Sequence, residues 1–318
     1  MNYPKRSQYK YAKKPYKIRN WQEYEEGLRR RGDLTIWLSE EALAGWKAEA
    51  SGKPGGQRVY NELAIETAAT IRLVYHLALR QTEGFLSSVF QLLELDLPVP
   101  DHTTISRRAK KLGKLKFSLP RGNGPIHLLI DSTGLKIHVG KLRKPPQQRA
   151  WRKLHLAVDR RSGEILATDL TSSRACDASR VPSLLKQIDE NLASVSADGA
   201  YDSEAVYQDI AAHSPERNTK TIIPPPKDAQ LKSFPPPHLY DRNRHIRSID
   251  RVGRREWSKK SGYSKRSLVE NTIFRYKLIL GREMRSRTLA GKRVEVRLGC
   301  KILNTMANLG MPDSCLVG

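Results

Sequence analysis

Hydrophobic positions divide the chain into two textures. From Arg58 to Leu95, Leu63, Ile65, Ile71, Leu73, Leu77 and Leu79 supply apolar faces at helical spacing and predict helix. Residues 20–50 also read as helical, and SGKPGGQ (51–57) separates the two stretches as a loop. LRQTEGFLSSVFQLLELDLP followed by VPDHTTISRRAKKL predicts helix, turn, helix, with Asp101 or Thr103 capping the second. RGNGP (121–125) breaks this pattern. Beyond it, IHLLIDSTGLKIHV (126–139), RAWRKLHLAVD (149–159) and EILATDLTS (164–172) predict three strands, the last two joined as a hairpin through Arg161-Ser162-Gly163. VPSLLKQIDENL (181–192) and SEAVYQDIAAH (203–213) predict helices; SVSAD (194–198) and KTIIPPP (220–226) predict short strands. The order β-β-β-α-β-α-β describes an α/β fold, a mixed sheet covered by helices. Residues 227–262 are basic and poor in aliphatics, and predict an inserted extended loop. Helices over 263–281 and 294–310 close the chain, the last stopping at Gly310.

Charge sharpens this division. The 318 residues carry a formal net charge of +24, too large an excess to be incidental, which points to a polyanion such as nucleic acid or an anionic membrane surface. It is uneven: +8 over residues 1–120, +3 over 121–220 and +13 over 221–318. A neutral centre with basic flanks suggests a site held against a nucleic-acid backbone. Residues 1–20 mix Lys and Arg with four Tyr and read as a basic arm. In the helix that follows Asp101, Arg107 and Arg108 lie on a polar, basic surface of the kind that enters a major groove, although a solvated face has the same composition. No apolar run approaches the ~20 residues of a membrane span. The basic start lacks the apolar stretch and small-residue cleavage site of a secretory signal. Three scattered cysteines make neither a zinc site nor a disulfide framework, so the expected compartment is the cytoplasm.

Candidate chemistry rests on three carboxylates. Asp131 closes an apolar strand, Asp198 ends a short one, and Glu270 lies in the later helix. Converging at one sheet edge, three anions would repel, and a divalent cation would relieve them; hard oxygen ligands and phosphate substrates suit Mg²⁺. Two such ions can activate a water or a 3′-hydroxyl and stabilise a leaving oxygen. Each acid also has an ordinary reading: a strand-to-turn Asp131, an Asp198-Gly199 turn, and a capping box from Ser267 to Glu270. The helix argues the other way. Tyr263, Arg266, Glu270 and Lys277 at offsets 0, 3, 7 and 14 project within about 60° of one another on a continuous helix. If Ser267 is the cap, that stripe is only partial.

Tyr263-x₂-Arg266-x₃-Glu270-x₆-Lys277 matches without a gap the Tyr-Arg-Glu-Lys signature of bacterial insertion-sequence DDE transposases. LLIDSTGLKIH, WRKLHLAVD, ADGAYD and RSLVENTIFRYK resemble the insertion sequence family five group within it. The resemblance covers about residues 126 to 310; the first 120 residues share only size, helicity and charge with the family. It implies a ribonuclease-H-like catalytic domain over 123–310, with an insertion at 227–262. A helical DNA-binding domain with its arm and candidate helix-turn-helix would precede it at 1–122, and a tail would follow at 311–318. It implies Asp131, Asp198 and Glu270 as metal ligands for Mg²⁺, two ions being expected and Mn²⁺ a substitute. Asp202, Asp159 and Asp169 are nearby rivals; the family motif places the first Asp of DGAYD as the ligand, which removes Asp202. Tyr263, Arg266 and Lys277 would contact DNA near the cleaved end, with Trp257 a candidate stacking partner for a flipped base, against the ordinary reading of a buried or surface tryptophan. The implied partners are double-stranded DNA, both terminal inverted repeats and target, and further copies of the chain as a homodimer or larger assembly on bacterial chromosomal or plasmid DNA, with no membrane. The implied activity is metal-dependent 3′-end cleavage and strand transfer. A nuclease that does not join ends and a catalytically dead DNA-binding regulator are the rivals; the complete acid and Tyr-Arg-Glu-Lys sets argue against the second.

Overall fold

A computed structural model describes residues 16–50, 52, 54–112, 124–137, 151–215 and 219–317. Residues 1–15 of the expected arm, the expected domain boundary at 122–123 and the outer ends of the first two expected core strands lie outside the described residues. The N-terminal part is β1 (Tyr16–Ile18) and six helices: α1 (Trp21–Arg30), α2 (Leu34–Trp37), α3 (Glu40–Ala44), α4 (Glu62–Val74), α5 (Leu79–Leu92) and α6 (His102–Ala109). The stretch 20–50, expected to be helical, holds three short helices. The stretch 58–95 is split where His76 adopts a left-handed φ of 55°. Asp101 caps α6, accepting from the amides of Thr103 (2.9 Å) and Thr104 (3.0 Å); the Thr103 hydroxyl, which also donates to it, leads these bonds in holding its carboxyl well below the usual range. The connection 93–101 is longer than the roughly 3–4-residue turn of a helix-turn-helix unit. It is pinned to the helical layer, since Trp46 Nε1 donates to Pro98 O (2.7 Å) and Tyr60 Oη to Val99 O (2.9 Å).

The core is β2 (Ile126–Ile137), β3 (Trp151–Asp159), β4 (Ile165–Ser172), α7 (Val181–Leu185), β5 (Leu192–Ser196), α8 (Glu204–His213), β6 (Lys220–Ile222), α9 (Tyr240–Lys260), α10 (Ser267–Ile279), β7 (Glu283–Met284) and α11 (Leu289–Asn308). The sheet runs β4-β3-β2-β5-β6. β2, β3 and β4 form an antiparallel meander, and β5 and β6 add in parallel on the other side of β2. A meander extended by two parallel strands is the ribonuclease-H-like order, as expected. Both faces are covered: α7 and α8 pack on one, α10 and α11 on the other. This is why β2 is apolar in a run, not in strict alternation.

Two stretches differ from expectation. The inserted segment is mainly the long helix α9, not an extended loop. Arginine and lysine are good helix formers, and Asn243, His245, Ile246 and Trp257 suffice to bury one side. Gly253, with φ 78°, breaks α9 into two limbs. The expected tail contains β8 (Ser314–Leu316), which pairs antiparallel with β1, and Arg19 meets Asp313 at 2.9 Å beside this pair.

α11 joins the two parts. Val294, Leu298, Ile302 and Met306 pack among the N-terminal helices, while Val296, Cys300 and Leu303 pack on the sheet. A helix apolar on two sides belongs between layers. Asn304 fastens it to β4, exchanging hydrogen bonds of 2.8 Å with both the N–H and the C=O of Ile165. Gly299 allows α10 close: a Cβ there would lie 2.7 Å from Leu280 and 3.0 Å from Tyr276. Among the described residues no helix is long and apolar enough to cross a membrane.

Candidate active site

Strand pairing opens an edge at Asp131. β2 pairs with β5 only as far as Leu129–Ser196 and with β7 only from Lys136, so on that side the stretch around Asp131 has no strand neighbour. β5 ends next to this gap, and the chain leaves it through Ala197 to Asp198. α10 packs against β2, and the 3-10 turn Tyr263–Arg266 leads into it.

Arg266 ties these pieces together. Its Nη1 donates to Asp131 Oδ2 at 2.8 Å, and its Nη2 donates to Glu270 Oε1. Two carboxylates 139 positions apart in the chain therefore converge on one guanidinium. The Arg266 guanidinium also lies over the Tyr263 ring, 5.8 Å from its centroid, and its Nε is buried without a partner. Ser267 forms no capping box: its Oγ donates to Ser264 O, and the Glu270 carboxylate goes to Arg266. The predicted stripe is partial, because Tyr263 and Arg266 stand in the 3-10 turn and Glu270 and Lys277 in α10.

Asp131 Oδ1 accepts from the Ser132 amide at 2.8 Å. Burial nevertheless raises the Asp131 carboxyl above its ordinary pKa, and the negative charge of Asp198 pushes the same way, against the Ser132 bond and Arg266. Asp198 accepts from the Ala200 amide at 2.9 Å, so it caps the turn the Asp-Gly pair suggested. Tyr201 is buried with its hydroxyl unpartnered, and burial near Asp177, Asp131 and Asp198 pushes that hydroxyl strongly up. On the other face, beneath β2, lies a polar cluster the sequence did not announce. His155, buried opposite Ser132, meets Thr171 Oγ1 at 2.9 Å and lies 3.4 Å from Asp177, which pairs with Lys153 at 3.1 Å.

The rival acids are occupied elsewhere. Asp202 holds Arg242 and accepts from Tyr207 Oη. Asp159 accepts from Ser162 in the β3–β4 turn, and Asp169 from Ser183. Lys277 lies seven residues beyond Glu270 on α10, where burial and Arg282 lower its pKa. Arg107 is exposed on α6, whereas Arg108 is tied to Tyr60 O; both line a cleft of about 230 Å³ with Arg58 and Lys111.

Trp257 is corrected by the structure. It is 2% exposed, its Nε1 donates to His245 Nδ1 at 3.1 Å, and its ring packs on Tyr263 at 5.3 Å. An enclosed ring offers no face to a base. Phe274, one turn beyond Glu270, is 60% exposed, and Leu278 after it is also exposed. The sequence reading missed Phe274; its offset of four from Glu270 places it on the open side of α10.

The donors here, hard carboxylate oxygens, suit Mg²⁺ or Mn²⁺. Asp131 and Glu270 already face one cationic group. Among the described residues no three acidic, imidazole or thiol side chains form a ready cage. The residues fit a hard divalent cation in kind, with Arg266 standing between two of them.

Two family models, both described as transposase DDE domain, match residues 29–140 and 122–305. Among solved structures, a cryo-EM piggyBac transposase synaptic complex with hairpin DNA aligns over 93% of this chain and 78% of that one, at 10% identity and a TM-score of 0.36. The Mos1 strand transfer complex aligns over 83% of this chain and 82% of that one, at 12% identity and a TM-score of 0.21.

Proposed function

The chain belongs to the transposase DDE-domain family, and from that premise we propose that it is an insertion-sequence transposase of the family five group, which cleaves DNA at the ends of its element and joins them to target DNA. The observation that carries this reading is the Arg266 bridge, which gathers Asp131 from the sheet and Glu270 from α10 at the edge where Asp198 emerges.

In this reading Asp131, Asp198 and Glu270 would hold the catalytic Mg²⁺, for which Mn²⁺ could substitute. When bound, the divalent cation supplies Lewis-acid stabilisation and lowers the pKa of the attacking oxygen. The protein's own groups do the rest. Burial raises the Asp131 pKa, so positive charge placed beside it relieves its carboxylate. Arg266 exchanges its carboxylates for a phosphate of the bound strand, a geometry its forked donors match. Tyr263 supports that guanidinium from below. Lys277, further along α10, meets the next phosphates. Phe274 takes the stacking role that enclosed Trp257 cannot, holding a base beside the scissile bond. Water attacks the phosphodiester phosphorus and the 3′-oxygen leaves as a hydroxyl, with a 5′-phosphate on the other side of the cut; that 3′-hydroxyl then attacks a target phosphodiester, forming a new P–O bond as the target strand's own 3′-oxygen leaves and takes up the proton. Two ends must act together, so the working form is a dimer or larger.

Substituting Asp131→Asn is expected to abolish cleavage and strand transfer while leaving DNA binding in place. Cleavage at the wild-type rate by that variant would sink the assignment. An assay for joined product separates the transposase from a nuclease that only hydrolyses.

A further inference from the structure

A basic groove beside α9 takes no part in the chemistry above. Lys220 on β6, Arg244, Arg247 and Arg251 on the first limb of α9, and Lys260 at its end line a cleft of about 530 Å³. The three arginines occupy offsets 0, 3 and 7, so they share one helical face within about 60°. All three are exposed. Arg244 pairs with Asp241 at 3.2 Å, the one acid in the lining. Lys220, Arg247, Arg251 and Lys260 make no ion pair among the described residues. Unpaired like charges around a concavity repel one another, and a polyanion relieves them.

The groove is built on a rigid floor. Trp257 lines it from beneath and donates to His245 Nδ1, which leaves His245 Nε2–H to donate to Thr221 O at 2.8 Å. That chain of bonds requires a neutral imidazole, and burial lowers the His245 pKa to match. The break at Gly253 sets the second limb at an angle to the first and brings Lys260 to face the arginines.

We infer that this groove binds the phosphate backbone of duplex DNA irrespective of base sequence, and so serves the target rather than the element's ends. The inference rests on the transposase reading. Apart from Asp241, Ile222 and the floor residues His245 and Trp257, the lining is guanidinium, ammonium and hydroxyl, the groups that take phosphate oxygens; it contains no Asn or Gln amide of the kind that reads adenine edges. The groove also connects with the carboxylates: Trp257 packs on Tyr263, and Tyr263 lies under Arg266. A duplex held here is one chain of contacts from Asp131.

The test is binding of the full chain to a labelled duplex of arbitrary sequence, followed by fluorescence anisotropy across a salt series. The double variant Arg247→Gln/Arg251→Gln is expected to lose about tenfold in affinity and to flatten the slope of log affinity against log salt by about 1.8, two phosphate contacts. Lys220→Gln, on a separate element, is expected to flatten it by about 0.9 and covers the case of a double variant that fails to fold. Wild-type affinity and slope in the folded variants overturn the inference. Cleavage by Asp131→Asn is read separately, so the groove can fail while the transposase reading stands, and the reverse.

Discussion

Two arginine–carboxylate pairs follow the same sheet edge and have opposite characters. Arg242 Nε donates to both oxygens of Asp202 at 3.1 Å, its Nη1 donates to Gln230 O, and Tyr207 Oη donates to Asp202 at 2.8 Å. The Asp202 side chain is 2% exposed. Arg266 divides itself between Asp131 and Glu270, keeps an unpartnered Nε, and has a Glu270 partner 54% exposed. The first pair is closed and satisfied. The second is held open, with one carboxylate in solvent and another that burial would rather see neutral. The difference separates an ion pair that holds the fold from one set to exchange partners.

The largest expected contrast is in stability. Asp202→Ala leaves the Arg242 charge half-buried and is expected to cost about 3–5 kcal/mol in urea unfolding. Asp131→Asn removes a carboxylate whose folded pKa is raised, and is expected to cost under about 1 kcal/mol or to stabilise near neutral pH. Equal losses would erase the distinction between the pairs. Next comes DNA contact. Phe274→Ala is expected to weaken binding of a duplex end with an unpaired base by about 1–3 kcal/mol. Its unfolding free energy should stay within about 0.5 kcal/mol of wild type, since the ring is exposed. Undiminished binding would remove Phe274 from the site.

Smaller still is the effect of removing the bridging cation. Arg266→Ala is expected to tighten Mn²⁺ binding on the order of tenfold, followed by titration without DNA, because Asp131 and Glu270 lose a competing positive charge. Unchanged or weaker binding would mean the guanidinium does not compete. The smallest effect is in pH. Burial lowers the folded-state pKa of His155 and His245, so the unfolded chain takes up their protons first. Their stabilisation is complete above the ordinary His pKa of about 6.5 and declines as pH falls from there toward the folded values. His245→Gln should flatten the stability profile below that point; an unaltered slope would show that His245 does not titrate there.

The meander was legible because β2, β3 and β4 are local in sequence and apolar in the pattern buried strands require. Asp198 could be placed just past a strand end for the same reason, whereas Asp131, expected to close its strand before a turn, lies midway along β2, which runs on through Ser132-Thr133-Gly134 to Ile137 paired with β3. Their distance from Glu270 could not, since the Arg266–Asp131 contact spans 135 positions and depends on how α10 docks. α9 was misread because two of the residues that bury it, Asn243 and His245, are polar, so its apolar period is faint. Phe274 was overlooked because periodicity groups residues on a helix without saying which side meets the sheet; Trp257, a stacking candidate only through the resemblance, sat in a stretch read as loop, where the burial that favours its ordinary reading was not legible. The β1–β8 clasp was invisible because each strand is three residues long and the partners lie at opposite ends of the chain.

The central claim is that Asp131, Asp198 and Glu270 hold one metal centre and that Arg266 yields to it. The most direct measurement is a crystal structure of the full chain soaked in Mn²⁺, read by anomalous scattering. The account predicts a peak in contact with all three carboxylates, with the Arg266 guanidinium withdrawn from between Asp131 and Glu270. A peak elsewhere, or none, with Arg266 still bridging the two carboxylates, would contradict it.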